Sequence, residues 1–136
     1  MFNLRIDTIP HANQRYDTIG DWYYDERTRV PRIFVSQLGN WKYEFLVALH
    51  EMIEWSLCNL ASISPEDVDK WDMEHLDSDD PGSIPGCPYF YQHKTALLIE
   101  RITAHVMHVS WDDYEDAIEK VSATYPVKNG TTENTK

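Results

Sequence analysis

Imidazole and carboxylate, the side chains that hold divalent ions, recur in this chain at spacings that a helix would bring to one face. In Leu49-His50-Glu51-Met52-Ile53-Glu54-Trp55, His50 and Glu54 stand four residues apart. On a helix such a pair has Cβ atoms about 5–6 Å apart, close enough for an imidazole nitrogen and a carboxylate oxygen to share one ion. Glu51 is turned about 100° from His50, the place where HExxH metal peptidases keep the glutamate that takes a proton from a metal-bound water. The motif here is HExxE. A second cluster, His93 to Glu100, spans nearly two helical turns, and its small Ala96 on the same face would let two helices approach closely. The expected site is therefore one divalent ion on His50, Glu54 and His93, with a position left open as catalytic zinc sites require. Glu51 is the expected catalytic base. Glu100 is either a fourth metal ligand or an acceptor that orients His93. Zinc is the first expectation. Glu54 in place of a second histidine adds negative charge, which makes a bound water less acidic and brings manganese and iron into range. Asp79 and Asp80 read as solvated loop acids, not as ligands. The bland alternative is an i,i+4 pair on one helix and, on the other, a capping His93 and a surface salt bridge of Glu100 with Arg101 or Lys94.

Such a site needs two helices and something to set them against. Trp41 to about Ala61 follows a potential cap at Asn40, contains no Gly or Pro, and repeats Phe45, Leu49 and Met52, with Leu46, Ile53 and Leu57 one row over. Tyr91 to His108 is the second long helix, with Ala96, Leu97, Ile99, Ile102 and Val106 set to pack on the first. Ser64-Pro65-Glu66-Asp67 starts a short helix to about Trp71, and Ser110-Trp111-Asp112-Asp113 another to about Ala123. Asp77 to Pro88, rich in Pro and Gly, is loop. Upstream, the alternation Phe2, Leu4, Ile6 reads as a half-buried strand ending at Pro10, and Trp22-Tyr23-Tyr24 as a second strand. Ile33-Phe34-Val35 is a third, with Pro31 confined to a strand start or a sheet edge. The expected class is α+β, a small antiparallel N-terminal sheet followed by the long HExxE helix and further packed helices, as one domain over 1–126 with a flexible tail at 127–136. Trp41, Tyr43, Trp55 and Trp71 read as packing residues.

Composition narrows the function classes. The 136 residues carry 12 Lys+Arg against 23 Asp+Glu, a formal charge of −11, which repels phosphate backbones and argues against nucleic-acid binding. With 42% hydrophobic and 12% aromatic residues there is material for a real core, against wholesale disorder. The longest apolar run, Phe45 to Leu49, is far too short for a membrane span, and the N-terminus has no basic-then-apolar leader. Cys58 and Cys87 are too few for a disulfide framework. The expected setting is cytoplasmic, with reduced thiols.

A strand pair, a helix carrying LHEMIE and a later helix with HxxAxxIExxI resemble the minimal zincin layout of small intracellular metallopeptidases of the ImmA and SprT type. The stretches PHANQRYDTIGDW, SQLGNWKYEFLVALHEMIEWSLC, the SDDP loop and YxxHxxAxxIER resemble a family of small uncharacterised bacteriophage and prophage proteins, over most of residues 10 to 101. The first resemblance implies a metal-dependent hydrolase of peptidase type; the second implies the cytoplasm of a bacterial host and brings no activity with it. A substrate peptide would lie along an edge strand near Ile33 to Val35. Two other readings compete. One is a non-catalytic acidic phage protein that binds a host protein. The other, ranked lower, takes Glu51, Glu54 and Glu100 as a Mg²⁺-binding carboxylate cluster like that of all-α nucleotide pyrophosphatases; it lacks their second ExxD, since Thr103 follows Glu100, and the β-rich start does not suit a bundle.

Overall fold

Three short strands open the chain in the computed structural model, which describes residues 2–128. They are β1 (Arg5–Ile9), β2 (Gly20–Tyr24) and β3 (Pro31–Ser36), in the spatial order β1-β3-β2. β3 runs antiparallel to β2, with Trp22 opposite Ile33, but parallel to β1, with Ile6 opposite Ile33. The sheet is thus mixed and not wholly antiparallel as expected. The cause lies in the connection after β1. A 3-10 turn at His11–Asn13 brings His11 Nδ1 within 2.8 Å of Ser36 Oγ, and the Gln14 amide donates to the same oxygen at 3.0 Å. These buried polar contacts carry the chain across the end of β3, so β2 forms on the side of β3 away from β1. β3 is then the central strand, so the expected peptide edge at Ile33 to Val35 is not an edge. Pro31 sits at the first position of β3, where no ladder hydrogen bond is needed from it.

Four helices follow: α1 (Trp41–Leu60), α2 (Pro65–Glu74), α3 (Phe90–Val106) and α4 (Trp111–Thr124). Their starts are the expected ones. Asn40 accepts from the Lys42 N–H, Ser64 from Asp67 and Ser110 from Asp113. α1 lies on the sheet over Ile33 and Val35 and against α3, and Leu46 and Cys58 are fully buried between them. Its buried face is Leu46, Val47, His50, Glu51, Glu54, Trp55 and Cys58, a helical period whose middle is polar. Phe45, placed in the apolar stripe by periodicity, is 46% exposed, and Trp41 is 68% exposed. α3 turns Ala96, Glu100 and Ala104 inward, so two alanines let the helices close up. Ile102 and Val106, expected at that contact, face solvent. The Asp77–Pro88 segment is loop apart from a 3-10 turn at Pro81–Ser83. Of the expected tail, Lys128 donates its main-chain N–H to the Ala12 carbonyl, and residues 129–136 lie outside the described residues. Among the described residues no helix is long and apolar enough to cross a membrane.

Candidate metal centre

α1 and α3 bring His50 Nε2, Glu54 Oε2 and His93 Nδ1 to one point. His50 Nε2 and Glu54 Oε2 are 3.2 Å apart, His93 Nδ1 and Glu54 Oε2 are 2.8 Å apart, and the two ring nitrogens are 3.2 Å apart. A tetrahedral zinc with bonds of about 2.0–2.1 Å separates neighbouring ligand atoms by about 3.3–3.4 Å. The observed triangle is a slightly contracted face of that tetrahedron, so this buried group could hold a metal ion.

Each imidazole is held from behind by a carboxylate. His50 Nδ1 lies 2.7 Å from Glu100 Oε1, and His93 Nε2 lies 2.7 Å from Asp80 Oδ1. An ionised carboxylate only accepts, so the outward nitrogen of each ring carries the hydrogen and donates it. The inward nitrogens, Nε2 of His50 and Nδ1 of His93, meet Glu54; on the protonated rings they donate to it, and on neutral rings they are the atoms whose lone pairs a metal would take. Carboxylate–histidine pairs of this kind set ring orientation and tautomer in metal sites. Glu100 is corrected here: it neither joins the converging set nor orients His93, but holds His50. The reason is the rise along α3, which carries Glu100 past His93 to the level of the His50 ring. Asp80, expected as a solvated acid, is the partner of His93. Its side chain is 49% exposed where that of Glu100 is 8% exposed, so the two supports differ in their contact with water.

Glu54 is held on its other oxygen as well, accepting from the Trp22 indole N–H at 3.0 Å. Burial works against its charge, yet the hydrogen bonds from His50 and His93 prevail and bring its pKa down to about 2. His93 is pushed up to about 9: burial opposes the imidazolium, but Asp80 and Glu54 outweigh it. His50 is raised for the same reason by Glu100 and Glu54. Protons bound so strongly at these nitrogens mark a place where positive charge is favoured, and a divalent ion would meet the same demand.

Glu51 stands apart. It is buried on α1 beside Glu54, and no side-chain or backbone group hydrogen-bonds its carboxylate among the described residues. Burial, reinforced by the negative Glu54, raises its pKa well above the usual carboxylate range. Space for it comes from Gly20 on β2, where a Cβ would fall 2.8 Å from Glu51 Cγ and 2.7 Å from a Val47 methyl. Gly82 does the same for His93, since a Cβ there would lie 2.4 Å from the ring. Further out, the Tyr114 hydroxyl faces Glu100 without reaching hydrogen-bond geometry.

The structure thus brings His50, Glu54 and His93 together, sets Glu51 beside them, and puts Glu100 one contact behind. Sequence reasoning missed Asp80, Trp22, Gly20 and Gly82. The SDDP loop before α3 carries the one signal for Asp80, an acid shortly before a ligand helix; the others have no periodic signature. The Mg²⁺ reading is disfavoured by the same geometry, because Glu54 and Glu100 are both engaged with histidines. His105 and His108 are exposed at the end of α3 and take no part in the cluster. The chain matches no known protein family, no curated protein and no solved structure.

Proposed function

We propose that the chain is a zincin-like metallohydrolase of peptidase type, with zinc held by His50, Glu54 and His93 and with Glu51 as the base. The observation that supports it is the pair of imidazoles fixed from behind, by Glu100 and by Asp80, with both inward nitrogens converging on Glu54. Zinc bound there would supply a Lewis acid for a carbonyl oxygen and make water a better nucleophile at neutral pH. Glu51 accepts the proton of the attacking water and returns it to the leaving amine. Its raised pKa and lack of another partner suit that exchange. Trp22 and the two imidazoles keep Glu54 in place. The bacteriophage setting and a host-protein target follow from the sequence resemblance alone.

Elemental mass spectrometry on untagged protein should find close to one equivalent of zinc, lost in His50→Ala and His93→Ala. With labelled casein as substrate, Glu51→Gln should retain the metal and lose hydrolysis, by about 10²-fold or more. Absence of metal after supplementation would sink this reading. A second reading is favoured by one observation: the side chains of His50, Glu54 and His93 are only 11%, 7% and 13% exposed. A metal so enclosed could instead stabilise a non-catalytic binding protein, and then Glu51→Gln would leave function intact.

A further inference from the structure

The helix pair that carries the cluster is covered on one side only. The contacts of His50 with Glu100 and of Glu54 with His93 show that α1 and α3 run antiparallel. The sheet takes the row of α1 that holds Val47 and Glu51, which stand over Gly20 of β2. The basic flank of α3 is engaged on the same side: Lys94 Nζ lies 3.4 Å from Ser83 Oγ, and the Arg101 guanidinium lies 4.6 Å from the Trp111 ring centroid at the start of α4. α4 in turn reaches the segment after β1, where Ser122 donates to Asp17. The opposite side of the pair stays open. Phe45, Leu60, Ile102 and Val106 are 46%, 82%, 56% and 69% exposed there.

That open side has a composition of its own. On α1 it is the row Phe45, Leu49, Ile53, Ser56 and Leu60, and on α3 the row Thr95, Ile99, Ile102 and Val106, at helical steps of three and four. None of these residues is charged, in a chain where 26% of residues are. Most of the large apolar side chains exposed among the described residues belong to these two helices. The hydroxyls are turned back on their own helices: Ser56 donates to the Ile53 carbonyl, Thr95 to that of Tyr91 and Thr103 to that of Ile99. Hydroxyls satisfied in this way lose no partner when water is removed. From Phe45 to Leu60 the face runs about 22 Å, and two helices side by side make it about 20 Å wide. Two such faces in contact would take about 1,000 Å² or more out of water, the size at which specific interfaces begin.

We infer that this face binds a second copy of the chain about a twofold axis, stacking four helices between two sheets. The inference is independent of the metallohydrolase reading. A like face is the occupant that suits it, because an uncharged apolar surface offers nothing to a charged partner and is self-complementary across a twofold axis. Residues 129–136 carry no apolar side chain with which to cover it. A lipid surface is the poorer occupant, since helices that lie in a membrane interface are flanked by Lys and Arg, and here the formal charge is −11.

The test is sedimentation equilibrium of the untagged full chain, with a chelator present so that no bridging metal can hold copies together. At about 100 μM protein the mass should be twice the chain mass of 16.0 kDa. Raising the salt from about 0.05 to 0.5 M should hold or tighten the dimer, because the charges it screens repel one another. I102E/V106E should weaken the dimer at least about 100-fold, with the helical circular-dichroism signal kept because both residues are exposed. Phe45→Glu, on the other helix, should do the same, and Met73→Glu, an exposed apolar position on α2 away from the face, should leave the dimer intact. A wild type that stays monomeric would overturn the inference, as would a dimer that survives both I102E/V106E and Phe45→Glu or one that salt dissociates. Flotation of a monomer with phosphatidylcholine–phosphatidylglycerol vesicles, abolished in I102E/V106E, would overturn it in favour of lipid.

Discussion

Glu54 is a buried carboxylate and Asp72 a half-buried one, each accepting from two side chains that lie far from it in sequence, and they are driven in opposite directions. Glu54 takes hydrogen bonds from two imidazoles and an indole, and its pKa falls to about 2. Asp72, on α2, accepts from the phenols of Tyr16 and Tyr89, and burial raises its pKa to about 6. Loss of water opposes the charge of both, and of Glu54 the more, so the opposite outcomes come from the donors. Imidazoles can take up a full positive charge and phenols cannot, which leaves Glu54 an anion and Asp72 on the border of neutrality at physiological pH. One carboxylate is thereby suited to hold a cation; the other is a hub that ties the segment after β1 and the start of α3 to α2.

The comparison breaks most severely when a donor to Glu54 is removed. His50→Ala leaves Glu54 and Glu100 buried with one charge partner fewer, and should cost the metal-free protein about 3–5 kcal/mol in urea unfolding, with metal binding lost. Glu100→Gln keeps an acceptor for His50 but removes its charge; zinc affinity should fall about 10–100-fold in a chelator competition. For Asp72, the raised folded pKa means that its contribution is fully present below the unfolded value of 3.8 and is lost as pH rises through about 6. Between pH 4 and 6 the metal-free wild type should therefore lose about 2 kcal/mol relative to Asp72→Asn, which keeps every other titration and lacks this one. Glu54 acts with the opposite sign, adding stability above the unfolded value of 4.5 that disappears as pH falls toward 2. The smallest effect is expected for Asp80→Asn. Half-exposed Asp80 should matter about tenfold or less for zinc, and less again at high salt, where Glu100→Gln is unchanged.

Much of this was legible beforehand. Caps at Asn40, Ser64 and Ser110 mark three helices because a short polar side chain before a helical run has a local physical role. The i,i+4 spacing of His50 and Glu54, and the alanine near His93, were enough to bring the candidate ligands together, since those relations are internal to a helix. The face of α1 was misjudged for a physical reason: periodicity assumes that buried means apolar, and here His50, Glu51 and Glu54 occupy the inward row while Phe45 stays half in water. Relations between elements left no trace. The parallel pairing of β1 with β3 depends on His11, Gln14 and Ser36 meeting across the end of β3, and the partnership of Asp80 with His93 depends on a loop whose path no local rule sets.

The order of the strands also has a consequence in time. β2 and β3 are joined by a short hairpin and can pair within microseconds, whereas β1 must find β3 with β2 and two loops intervening, and the ligand atoms on α1 must wait for α3, 43 positions further along the chain. Local pieces form early and the cluster closes late. A nascent chain has no converged trio to offer until most of its length has emerged, so acquisition of an ion would mark the last stage of maturation, not a seed for the fold.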